Sequence, residues 1–287
     1  MKKRLSTFKK RHHLMGYLFM APWILGFILF TGIPFFYTIY LSLQNVTLTV
    51  RGWETSWNQF DNYIAAFFRN AEFMPGIVNF VIYISIYAPV IIIISFVLAI
   101  LLNQKIKFRA AFRLIYFLPV IIMSGSVMQQ LMDTGSTQMS SIENSMIFKV
   151  LASYNSYLAY AISFLFDNFS MVLWFTGIPI ILFINGLQKI NGSLYEAAQI
   201  DGATQWQMLW KITVPLIKPI VFVASVFTIV QLGMYNLNPV YKMIQDTIFN
   251  TQGGLGLASA FAWIYTIVVF VAIAVAFVLL RDKEVSS

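Results

Sequence analysis

The stretch Glu196-Ala197-Ala198-Gln199-Ile200-Asp201-Gly202, followed by Ile212-Thr213-Val214-Pro215, gathers residue types suited to gripping another protein. The small Ala197 and Ala198 admit a close approach, and Gly202 can take the positive φ of a tight turn. Ser193 and Glu196 have capping-box spacing, which predicts a helix starting there, with the serine oxygen accepting the Glu196 amide hydrogen. Gly202 is expected to end that helix. Thr204 and Gln207 repeat the spacing and open a second, with Trp206, Leu209 and Trp210 on one face. Pro215 is expected to stop it, and Pro219 to occupy the first turn of the next apolar segment. Periodicity alone leaves two readings of this helix-turn-helix. One is a surface for a partner's groove; the other is a hairpin packed on its own bundle, with Glu196 only a cap.

The elements that flank this loop are very apolar. With 59% hydrophobic, 17% aromatic and 10% charged residues, the chain lacks the polar surface to cover a water-soluble globule of 287 residues. Segments 17–43, 76–102, 112–132, 168–187, 219–236 and 257–280 each reach the length of roughly 20 apolar residues that a bilayer core demands. The expected fold is therefore an all-α integral membrane protein of six transmembrane helices. Region 146–166 is interrupted by Lys149, Asn155 and Asp167 and carries Tyr154, Tyr157 and Tyr160, types favoured at the membrane interface. It reads as an interfacial helix on the outer face, not a seventh span.

Charge placement gives the orientation. Of 19 Lys and Arg, only Arg51, Arg69, Lys149 and Lys242 fall outside when the N-terminus is placed in the cytoplasm. Both ends are then cytoplasmic, and the Glu196 loop faces the cytoplasm. The basic excess of +8 is a topology signal, not a nucleic-acid footprint. The organisation expected is a basic tail at 1–13, one transmembrane domain at 14–280 with a loop at 188–218, and a short tail at 281–287. The first outer loop carries Trp53, Trp57, Tyr63, Arg51, Glu54 and Asp61, which suits either a docking partner or an aromatic belt at the headgroups. Pro22, Pro34, Pro89, Pro119 and Pro179 fall within spans, where each removes a backbone donor.

Enzymatic chemistry finds little support. His12 and His13 are the only histidines and both lie in the N-terminal tail. There is no His-Glu-x-x-His, no Gly-x-Ser-x-Gly and no phosphate-cradling Gly-x-x-x-x-Gly-Lys-Ser/Thr loop. With no cysteine, thiolate metal sites are excluded. The spans hold hardly any ionisable group apart from Asp133 at a boundary, which argues against a proton relay. Polar and aromatic residues remain that could face a path: Gln129 and Gln130 in the third span, Trp174 in the fourth, and Gln231, Tyr235, Asn236 and Asn238 in the fifth. Each also suits an interhelical hydrogen bond or a belt aromatic.

The spacing Glu196-Ala197-Ala198, three residues, Gly202, nine residues, Ile212-Thr213-Val214-Pro215 resembles the E-A-A loop of ABC importer permeases, with Val214 in place of leucine. Ala21-Pro22-Trp23, Leu101-Leu102-Asn103, Phe112-Arg113, Leu118-Pro119, Gly186-Leu187-Gln188-Lys189-Ile190 and Ala203-Thr204-Gln205-Trp206 are similar to the carbohydrate branch of that family. The likeness covers roughly 14–280. The chain departs from it at Gln231-Leu232-Gly233-Met234-Tyr235-Asn236 and Gly253-Gly254-Leu255, where many relatives have Lys-Phe-Asp and Gly-Gly-Pro, and in the long outer loop 133–167.

The resemblance implies a multi-pass subunit of the bacterial cell membrane that is not itself an enzyme. It implies a second homologous permease as heterodimer partner, two ATP-binding subunits and an extracytoplasmic solute-binding protein that delivers a sugar. No cofactor is then bound by this chain, since ATP and Mg would sit on the partner subunits. Glu196, Ala197, Ala198, Asp201, Gly202, Ile212 and Pro215 would form the coupling surface. An ABC permease for lipid, peptide or phosphate is the alternative, with a membrane-embedded enzyme behind it.

Overall fold

A computed structural model describes residues 17–49, 52–104, 149–150, 153, 169–235, 238–250 and 254–281. The expected third span at 112–132, the tail 1–13 and nearly all of 146–166 lie outside the described residues, as do Gln129, Gln130 and Asn236.

Five helices among the described residues are long and apolar enough to cross a membrane. They are α1 (Tyr17–Ser42), α3 (Phe73–Asn103), α4 (Phe169–Lys189), α9 (Gly254–Leu280) and a continuous helix Gln205–Gly233. The last comprises α6 (Gln205–Met208), a π turn (Leu209–Thr213) and α7 (Val214–Gly233). Shorter elements are a β-hairpin, α2 (Asp61–Ile64), α5 (Gly192–Ile200) and α8 (Pro239–Ile248). The two-faced α8 and the hairpin are not among the sequence expectations.

The continuous helix corrects one expectation: Pro215 does not stop the second loop helix, and Pro219 lies inside α7. The π turn explains why. Its closing bond runs from the Val214 amide to the Leu209 carbonyl, five residues back, and Pro215 follows directly in the first turn of α7. In α1 the same device recurs, with a π turn over Ile28–Gly32 followed by Pro34 at the start of a fresh α-helical stretch. A widened turn relieves the clash that a proline ring makes with the carbonyl four residues back.

The chain divides into two compact units. The first comprises Met1–Ile77 and Pro239–Ile267. Here α1 leads directly into the antiparallel strands β1 (Gln44–Thr49) and β2 (Gly52–Trp57), paired from Gln44↔Trp57 to Thr49↔Gly52. Asn62 is the pin: its buried Nδ2 donates to the carbonyls of Ser42 (2.9 Å) and Gln44 (2.8 Å), tying α2 to the helix-to-strand junction. Phe73 and Phe261 stack at 4.1 Å, and Trp263 Nε1 donates to Thr38 Oγ1 at 3.1 Å. The exposed Arg69–Asp61 pair, at 2.9 Å, adds little in water. We expect Asn62→Leu to orphan two buried carbonyls and cost about 2–4 kcal/mol. Limited proteolysis of the segment around β1 and β2 would report it as faster cleavage.

The second unit comprises Val78–Asn238 and Val268–Ser287. Its core joins Ala99 and Leu102 of α3, Ile180, Phe183, Ile184 and Leu187 of α4, and Ile217 and Ala224 of α7. Lipid tails are as apolar as these side chains, so association rests on close packing instead of water exclusion. Polar side chains in this core bond to backbone: Ser95 Oγ donates to Ile91 O at 2.6 Å and lies 3.4 Å from the Thr176 carbonyl across the helix pair.

Candidate functional site

The Glu196 segment folds into two helices joined by a tight turn. Its first helix, α5, starts earlier than the capping-box reading expects. Asn191 is the N-cap, its side chain accepting the Ser193 amide at 3.1 Å, so Ser193 lies inside the first turn. Asparagine caps at least as well as serine, and it comes first along the chain. The end follows the expectation. Gly202 has φ +75°, the Gly202 amide bonds the Gln199 carbonyl (3.0 Å), and the Ala203 amide bonds the Ala198 carbonyl (2.9 Å). These two bonds make a Schellman turn, which satisfies the last carbonyls of α5. Thr204 then opens α6 with a full capping box: Gln207 N–H donates to Thr204 Oγ1 (3.3 Å), and Thr204 N–H donates to Gln207 Oε1 (2.8 Å).

The two halves of the motif are tied together by a residue outside it. Tyr195 OH and Thr213 Oγ1 lie 2.8 Å apart, linking α5 to the π turn that carries Ile212. Beneath them a cavity of about 420 Å³ is lined by residues including Asn103, Leu187, Tyr195, Trp206 and Met208. Glu196, Ala197, Asp201, Gly202 and Pro215 are exposed, whereas Ala198 and Ile212 are half-buried. The most exposed large apolar side chains of the loop are Ile200 at 87%, Trp206 at 68% and Trp210 at 53%. The two indoles meet edge to face at 5.6 Å. Trp206 and the half-buried Leu209, which share a face in the expected pattern, both line the cavity.

The polar candidates fall at the other ends of α4 and α7. Trp174 is buried on α4. Tyr235 is buried with its ring edge-on to Phe175 of α4 at 5.2 Å, and the buried Asn238 donates from Nδ2 to the Gly233 carbonyl at 3.5 Å. Gln231 lies one turn before Tyr235, and its buried Oε1 has no hydrogen-bond partner among the described residues. Two aromatic residues absent from the sequence candidates join this end. Tyr83 of α3 packs on Tyr87 at 4.4 Å and donates to Met171 Sδ of α4 at 2.9 Å. Nothing in their spacing along a uniformly apolar helix singles them out. No group of His, Cys, Asp and Glu that could hold a metal occurs among the described residues.

No family model matches the chain. Curated relatives do. The probable ABC transporter permease YesP of Bacillus subtilis (strain 168) is 28% identical over 291 residues, covering 94% of this chain and 90% of the relative. The arabinooligosaccharides transport system permease AraP of the same organism is 31% identical over 247 residues, covering 84% of this chain and 74% of AraP. The chain belongs to the sugar ABC transporter permeases. The lactose permease LacF of Rhizobium radiobacter is also similar, 27% identical over 252 residues and covering 84% and 80% of the two chains. Among solved structures, a chain of a bacterial alginate ABC transporter, in complex with an alginate pentasaccharide-bound periplasmic protein, shares the fold. Its TM-score is 0.65 at 20% identity, with 97% of both chains covered. The permease is thus a multi-pass protein of the bacterial cytoplasmic membrane and a transport component, not an enzyme. For such a protein the exposed apolar face of α1 is ordinary, because lipid covers it.

Proposed function

We propose that this permease imports an uncharged sugar or oligosaccharide, delivered by an extracytoplasmic binding protein and driven by ATP hydrolysis on separate subunits. The observation that carries this reading is the loop itself. A capped, Schellman-closed turn at Gly202 presents Glu196, Ala197 and Asp201 beside the exposed Ile200, Trp206 and Trp210, between two apolar helices. Apolar surface of that size on a water-facing loop calls for a protein partner. The partner is an ATPase whose cleft takes α5 and α6, with Glu196 pairing a basic residue and Gly202 keeping the turn compact. Two such ATPases and a second homologous permease complete the assembly, and ATP and Mg bind on the ATPases.

The topology in this reading has six spans, both ends cytoplasmic and the loop at 188–218 inside, supported by the placement of Lys and Arg. Because α6 runs unbroken into α7, movement of the loop reaches the Gln231 end of the same helix without a hinge at Pro215. Relatives named for arabinooligosaccharides and lactose, and a structural neighbour bound to a periplasmic protein carrying alginate, favour a glycan and a delivering protein. Trp174, Gln231, Tyr235 and Asn238 offer aromatic faces and amides without charge, which suits neutral hydroxyl-rich solutes.

The test is reconstitution of the assembled transporter with its binding protein and a screen of mono- and oligosaccharides for stimulated ATP hydrolysis and uptake. Stimulation by a phosphorylated solute or a peptide, and by no sugar, would overturn the substrate assignment. In the same assay Gln231→Leu should raise the KM for uptake about five- to tenfold, the worth of one hydrogen bond to the solute. Its thermal midpoint should hold or rise, because the substitution removes a buried acceptor that has no partner among the described residues.

A further inference from the structure

Helix α5 is held down by very little. Among the described residues none of its nine is buried, and only Tyr195 and Ala198, one turn apart, are half-buried. A helix of that length does not keep its place by propensity alone. Its ends are fixed by the Asn191 cap and by the turn at Gly202. Between those ends the tie to another element is a side-chain hydrogen bond, Tyr195 OH to Thr213 Oγ1 at 2.8 Å. A second bond gives its direction. Thr213 Oγ1 donates to the Met208 carbonyl at 3.4 Å, and a hydroxyl has one hydrogen, so the Tyr195 phenol donates and Thr213 accepts. The relay joins α5, the π turn and α6. Thr213 is buried and directly precedes Val214, the first residue of α7. Residues 195–213 therefore form a ring, closed at one end by the turn at Gly202 and at the other by this bond.

We propose that Tyr195 is a positioning residue for energy coupling: its hydroxyl ties α5 to the foot of α7, so that a pull on α5 reaches the membrane helix directly as well as through α6. The inference rests on the ATPase contact at this loop given under Proposed function. Coupling between sites is carried by hydrogen bonds and packed side chains that join rigid elements. Without the bond α5 stays helical, because neither its cap nor its closing turn involves Tyr195. It then swings about Asn191 and Gly202 without moving Thr213, and the two-point grip becomes a one-point grip through α6.

ATP hydrolysis by the complete transporter would be measured with and without its binding protein. Tyr195→Phe keeps the ring and removes the donor. The expected result is unchanged basal hydrolysis and complex stoichiometry, with stimulation by the binding protein reduced about fivefold, the order of one hydrogen bond. Thr213→Val removes the acceptor and should reduce stimulation to the same extent, whereas Thr213→Ser should retain it. The double variant Tyr195→Phe with Thr213→Val should be no worse than either alone, as expected of two groups in one interaction. Undiminished stimulation in Tyr195→Phe overturns the proposal, as do losses that multiply in the double variant. A parallel fall of basal hydrolysis, assembly and thermal midpoint also overturns it, because a scaffold role moves all three together. Gly202→Asp separates this inference from the ATPase contact on which it rests. Stimulation lost there but kept in Tyr195→Phe overturns the role of Tyr195 alone, whereas full stimulation in an assembled Gly202→Asp complex overturns both.

Discussion

Gly202→Asp is expected to leave the permease folded and inserted while binding-protein-stimulated ATP hydrolysis of the assembled transporter falls by more than about tenfold. Apart from its chain neighbours, no atom of the described residues lies within 4 Å of a Cβ built on Gly202, so packing does not oppose the substitution there. Its internal cost is the positive φ of +75°, about 1–2 kcal/mol for an L-residue and less for aspartate, which tolerates that region. An unpaired carboxylate pressed into a partner's cleft costs more, about 2–5 kcal/mol. Asparagine at the same position separates the terms: it accepts the backbone conformation and carries no charge, so Gly202→Asn should keep most of the stimulation. Glu196→Lys acts in the same direction by reversing a charge on an exposed face of α5, where folding hardly registers the change. ATP hydrolysis measured with and without binding protein, in complexes checked for stoichiometry, decides it. Normal stimulation in an assembled Gly202→Asp complex would sink the coupling role.

The second large effect is structural. At Gly256 an added Cβ overlaps the Gln44 carbonyl oxygen and comes within 3.1 Å of Asn62 Nδ2. Gln44 and Asn62 are buried and joined by the hydrogen bond that pins β1, so neither can retreat. Gly256→Ala should therefore cost about 3 kcal/mol or more, as overpacking against backbone does. The expected readout is a lower thermal midpoint in detergent, with faster proteolysis of the hairpin. Gly186→Ala is the control, because its Cβ meets the terminal Cδ1 of Ile220, which can rotate away. Equal damage from the two substitutions would show that backbone contact at Gly256 is not what sets the cost.

Period-two alternation of Val46 and Leu48 with Asn45 and Thr47, and of Trp53, Thr55 and Trp57 with Glu54 and Ser56, is visible in the sequence and signals the hairpin. The aromatic and polar surface of that loop invites a docking or belt reading instead, and neither specifies a strand pair. Ser193 has a glutamate three residues later, as a capping box requires, but Asn191 lies earlier and caps the helix instead.

Taken by itself, the sequence determined what depends on composition or on groups a few residues apart. Runs of about 20 apolar residues specify spans because a bilayer core has fixed thickness. The Thr204–Gln207 capping box and the turn at Gly202 are legible because their hydrogen bonds close within five residues. Tertiary structure alone decided the rest. That Pro215 continues a helix, that Tyr195 ties the two halves of the loop, and that Gly256 faces Gln44 all depend on placement beyond the local pattern. So does the Gln231 acceptor, which has no partner among the described residues. In helices apolar on every side, periodicity no longer marks which face meets a neighbour and which meets lipid, and only packing distinguishes them.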